Sequence, residues 1–124
     1  MTRRARSGDA ASSDRRHVGC TLPLPVKQDA LEAARAFDWS LGDWVLTAAA
    51  EHGPTLRAAL TASPPAKRRR VPHATFTALY LTAEEVAELD DQAVACGCNR
   101  SAFVTAVLRL ARGDDLASVL DELR

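Results

Sequence analysis

Two groups of residues in this chain have the types and spacing to do chemistry. The first is thiol and imidazole: Cys96-Gly-Cys98, with His17, His52 and His73 elsewhere. A closed zinc site needs four ligands, and none of these histidines falls at a paired spacing that would supply them. Cys96 and Cys98 are therefore expected in a buried turn, with no metal bound. The second group is cationic: Arg15-Arg16-His17 and Lys67-Arg68-Arg69-Arg70, with Arg3, Arg4 and Arg6 further upstream. Runs of guanidinium and ammonium groups neutralise phosphates. Catalysis has no footing: there is no glycine-rich phosphate loop and no nucleophile with a recognisable base. The acidic residues are expected on solvent faces of helices. No catalytic residue, no cofactor and no enzymatic activity are expected.

The formal net charge is zero, which by itself argues against a nucleic-acid partner, but the charge is unevenly distributed. Glu84, Glu85, Glu88, Asp90 and Asp91, with Asp114, Asp115, Asp121 and Glu122, supply the acid that balances the basic runs. Three cysteines without a disulfide pattern, and a start that lacks a charged-then-apolar leader, point to a reduced cytoplasmic setting. No apolar run approaches the roughly 20 residues that span a bilayer.

The elements that must position these groups are written twice. Ser40 to Leu60 matches Asn99 to Leu120 at a nearly fixed offset. Trp44-Val45 align with Phe103-Val104, and Gly53, Leu56 and Leu60 with Gly113, Leu116 and Leu120. Each copy reads as helix, glycine stop, short amphipathic helix. Upstream lie the extended stretches Gly19 to Leu24 and Thr75 to Leu81, the second rich in strand-favouring types. In the second half Thr82-Ala-Glu-Glu85 is a capping box, and Val86, Leu89 and Ala93 share a helical face. Gly97 ends that helix, and Asn99 or Ser101 caps the next. In the first half Pro25 opens a helix with face Ala30, Leu31, Ala34 and Phe37, and Ser40-Leu-Gly-Asp43 caps its successor. Alanine abundance and an apolar fraction of 47% suit closely packed helices. The expected organisation is a disordered basic arm (1–16), a first copy with a short third helix (17–61), a Pro/basic linker (62–72) and a second copy with a C-terminal helix (73–124).

A strand, a capped helix, a glycine turn and a second capped helix, preceded by basic residues, resemble the ribbon-helix-helix family of MetJ, Arc and CopG type. The resemblance is good for Thr75 to Gly113 and moderate for Gly19 to Gly53. It implies a mostly α fold with a short two-stranded antiparallel β-ribbon that enters the DNA major groove. A chain with both copies can pair its own strands as a monomeric tandem pseudodimer, and pairing between chains in a homodimer is also open. The intrachain version is preferred.

In such a ribbon alternate residues face the groove. If Leu79 and Leu81 face the core, then Phe76, Ala78 and Tyr80 face outward, with Gly19, Thr21 and Pro23 as the matching set. This departs from the family's hydrogen-bonding outward residues. It leaves open contact with thymine methyl groups, recognition of DNA shape, or contact with protein instead. Phosphate contacts are expected from Arg15, Arg16, Lys67, Arg68, Arg69 and Arg70, and from the capped helix starts at Ser40, Asn99, Arg100 and Ser101. Trp39 and Trp44 are expected to pack in the core or between halves. The resemblance implies a regulator that binds double-stranded DNA, most simply a transcriptional repressor. The alternative is a protein-interaction module, such as an antitoxin, partition or relaxosome accessory protein. It would use the apolar ribbon face or the helix within residues 114–124.

Overall fold

The computed structural model describes residues 15–62 and 74–123. Their order is β1 (Arg16–Pro23), α1 (Leu24–Ala36), α2 (Leu41–Ala62), β2 (Ala74–Leu81), α3 (Ala83–Ala95), α4 (Arg100–Ala111) and α5 (Leu116–Leu123). The molecule is thus mostly helical, and β1 and β2 form a two-stranded antiparallel sheet within the chain. The register sets His17 opposite Tyr80, Val18 opposite Leu79, Gly19 opposite Ala78, Cys20 opposite Thr77 and Thr21 opposite Phe76. The offset from Leu24 to Ala83, where α1 and α3 begin, recurs from Leu41 to Arg100, where α2 and α4 begin.

Local chemistry accounts for these boundaries. The Thr82 hydroxyl accepts from Glu85 N–H (3.2 Å) while the Glu85 carboxylate accepts from Thr82 N–H (2.9 Å), closing the expected capping box. Ser40 Oγ accepts from Asp43 N–H (3.1 Å) at the start of α2, and Asn99 Oδ1 accepts from Ala102 N–H (2.8 Å) at the start of α4. Pro25 sits in the first turn of α1. Gly97 and Gly113, at φ 74° and 103°, end α3 and α4 in left-handed backbone. The residue after each glycine donates its N–H back across the turn, Cys98 to Ala93 (2.9 Å) and Asp114 to Arg109 (3.0 Å). Asp38, at φ 57°, makes the same turn after α1, with Trp39 N–H donating to Ala34 O (2.9 Å).

One expected boundary is absent. Gly53 does not stop its helix, and no separate third helix follows in the first half: α2 runs 22 residues, through Gly53 and Pro54. Proline's φ is compatible with a helix, at the cost of one N–H. In the second half the position of Pro54 is taken by Asp114. Its carboxylate accepts from Arg109 Nε (2.7 Å) and from Arg112 Nε and Nη2 (3.0 and 2.9 Å), which locks the turn after Gly113.

The core lies between the inner face of the ribbon and the crossed helices, with α2 packed extensively on α4. Leu22, Leu79 and Leu81 point down from the strands into one buried cluster with Val45, Leu56, Leu89, Phe103, Val104 and Val107, all fully buried. The buried face of α1 is Val26, Ala30 and Ala34; Leu31 is only half-buried. Phe37, expected on that face, is 54% exposed. It lies beyond the last turn and clusters with Trp39 and Trp44, ring centroids 5.6 and 5.8 Å away. Among the acidic residues Asp43 is an exception to solvent placement, buried in the first turn of α2, where the helix dipole favours a carboxylate. α5 lays Val119 and Leu120 into the core, so the apolar face expected as a partner surface within residues 114–124 is occupied by its own domain. The buried Arg109 also reaches Glu122 (2.9 Å) and Ser118 (3.1 Å) on that helix. No helix among the described residues is long and apolar enough to cross a membrane.

Candidate nucleic-acid interface

Alternation along the ribbon gives it two chemically distinct faces. Val18, Cys20, Leu22, Thr77, Leu79 and Leu81 are buried below it. Thr21 and Pro23 on β1, and Phe76, Ala78 and Tyr80 on β2, lie on the opposite face, as the alternation predicts, with His17 and Gly19 beside them. Phe76 is 71% exposed and Tyr80 41%. The rings of His17 and Tyr80 meet edge to face at 5.2 Å. The Phe76 ring leans over Gly19, where a β-carbon would stand 2.6 Å from its Cε1.

The outer edges of the ribbon are fastened to the helices beneath. On the β1 edge, Thr21 N–H donates to Ser101 Oγ (2.8 Å) and Arg100 Nη1 donates to Gly19 O (3.0 Å). Arg100 is itself held by Asp90 through Nε (2.8 Å) and Nη2 (2.7 Å). That pairing holds the Asp90 carboxyl below its usual range, chiefly through the hydrogen bond. On the β2 edge Gly42, in the first turn of α2, approaches so closely that a β-carbon would stand 2.9 Å from Leu81 Cδ2 and 3.2 Å from Tyr80 O. Arg15 donates to Tyr80 O (3.2 Å) and pairs with Glu85 (3.3 Å), and Lys27 donates to Phe76 O (3.4 Å). The first turns of α2 and α4 thus lie against opposite edges of the ribbon.

The residues expected at phosphates divide by placement. Arg16 is exposed at the start of β1. Arg15 and Arg100 are engaged in ion pairs, Ser40 and Asn99 cap helices, and Ser101 anchors β1. Lys67, Arg68, Arg69 and Arg70 lie outside the described residues. Lys27 is not among the residues that the sequence points to, because its proximity to Phe76 depends on how α1 folds back beside β2. Burial pushes the Cys20 and Cys98 thiols up to about 11 and raises Cys96 as well, which disfavours the thiolate a metal would bind. No group of three or more metal-ligating side chains occurs among the described residues. Comparison with family models, curated proteins and solved structures finds no match.

Proposed function

We propose that this protein binds double-stranded DNA by laying the β1–β2 ribbon in the major groove, and that it acts as a transcriptional repressor or related regulator. The observation that carries the reading is the ribbon itself: two antiparallel strands, one from each half, with a solvent-facing outer surface and a helical platform behind. A two-stranded ribbon fits the width of the major groove. Further support comes from the first turns of α2 and α4 at the two ribbon edges, where helix N-termini attract phosphates on either side of a groove. Arg16 adds a cation at one end of the ribbon and Lys27 adds one along the β2 edge.

The register also favours the tandem ribbon-helix-helix pseudodimer. Gly19 and Ala78 are related by the offset that relates α1 to α3, and they are paired with each other. That is the condition for a local two-fold axis through the ribbon centre. The outward residues of the two strands differ, so the preferred site is an imperfect palindrome.

The test is binding to random-sequence duplex DNA at two salt concentrations, followed by selection of preferred sites. The wild type is compared with a variant carrying Arg68, Arg69 and Arg70 as alanine. Binding should be steeply salt-dependent, and the log–log slope should fall by about one for each phosphate that the variant no longer neutralises. The 71% exposure of Phe76 favours a second reading, contact with a partner protein through the same face. Absence of binding at low salt would sink the first reading in favour of the second.

A further inference from the structure

The outer face of the ribbon lacks hydrogen-bonding side chains at its centre, where a groove-bound ribbon meets base edges. The central pair, Gly19 with Ala78, carries no polar side-chain atom. The Phe76 ring covers Gly19 from the neighbouring pair. Pro23 opposite Ala74 closes one end of this apolar strip. Backbone groups at the ribbon edges do not fill the gap, because several already have partners in the protein. Gly19 O accepts from Arg100, Thr21 N–H donates to Ser101, Phe76 O accepts from Lys27 and Tyr80 O accepts from Arg15. The outward side chains with polar atoms, Thr21, His17 and Tyr80, flank the apolar centre.

The major-groove edges of guanine, cytosine and adenine present donors and acceptors, and a donor or acceptor buried against Phe76 would lose its water without gaining a partner. Thymine alone of the four presents an apolar group there, its C5-methyl. Resting on the DNA-binding reading above, we propose that the ribbon recognises pyrimidine C5-methyl groups. Phe76, lying over Gly19 and beside Ala78, packs on the methyl edge of thymine at the centre of the site. Thr21, Tyr80 and His17 contact the flanking bases. The missing β-carbon at Gly19 is what lets the Phe76 ring lie across the strand and present its surface to the methyl group.

The test starts from the best duplex recovered by selection, in which the proposal requires thymine at the central positions. Those thymines are replaced by deoxyuridine, which deletes the C5-methyl and keeps the base pairing. Affinity of the wild type should fall roughly fourfold for each contacted methyl, the transfer value of one buried methyl group. Phe76→Ala removes an exposed ring and leaves the core intact; with an unchanged thermal midpoint, it should bind thymine and uracil duplexes alike. Equal wild-type affinity for the two duplexes overturns the methyl proposal while DNA binding stands. So does a selected site without central thymines, or a uracil penalty that persists in Phe76→Ala. Failure to bind any duplex at low salt overturns the DNA-binding reading itself.

Discussion

Replacing Arg100 by alanine removes the guanidinium that ties three elements together. It holds Asp90 on α3 at 2.8 and 2.7 Å and the Gly19 carbonyl on β1 at 3.0 Å, from the first residue of α4. The Arg100 and Asp90 side chains are 30% and 39% exposed, so solvent screens the pair. A two-pronged pair in that setting contributes at most about 1 kcal/mol. The bond to the Gly19 carbonyl adds about 1 kcal/mol more. Arg100→Ala should therefore destabilise by about 2 kcal/mol, and a double-mutant cycle with Asp90→Ala should assign about half of that to the ion pair. The pair must also respond to pH. The hydrogen bond from Arg100 depresses the Asp90 carboxyl below its ordinary value of 3.8 in the folded state. Its stabilising contribution is therefore complete above the unfolded carboxyl's pKa and is lost as pH falls through the lower folded value. Urea titrations followed by Trp39 and Trp44 fluorescence, at neutral pH and in acid, measure both effects. A coupling below about 0.3 kcal/mol at neutral pH, or one that grows on acidification, refutes this account.

Three other perturbations have definite signs. Gly113→Ala meets no atom within 4 Å yet sits at φ 103°, so it should lower the thermal midpoint through a purely conformational cost of about 1 kcal/mol. Ser101→Ala deprives Thr21 N–H of its acceptor and should cost about 1 kcal/mol, with faster amide exchange at Thr21. Cys20 and Cys98, with thiols pushed to about 11 by burial, should alkylate slowly at mildly alkaline pH, and the rate should rise sharply when urea unfolds the chain.

The second half is the more legible in the sequence because its signals are local. The Thr82–Glu85 capping box, the Gly97 and Gly113 turns and the alternation in β2 each depend on residues a few positions apart. The first half needs tertiary information. Gly53 resembles Gly113 in sequence, and what separates them is Asp114 with its two arginines against Pro54. Phe37 fits the helical period of α1 but falls past the helix end, where the Asp38 turn carries it outward. The same limit applies to the candidate interface. Period two puts Phe76, Ala78 and Tyr80 on the outer face, whereas the anchoring role of Ser101 depends on which strand edge α4 lies against. A hydroxyl at a helix start reads as a cap when only its neighbours in sequence are known.

The pairing of β1 with β2 inside one polypeptide changes how the ribbon responds to dilution and to mutation. A ribbon shared between two separate chains falls apart as concentration drops, and its occupancy of any target rises with a power of copy number. Here the strands pair in a first-order event, so formation of the ribbon should not depend on protein concentration. Two identical chains would also carry every substitution twice. Here Ser101 stands against one strand and Gly42 against the other, so each half is free to change alone.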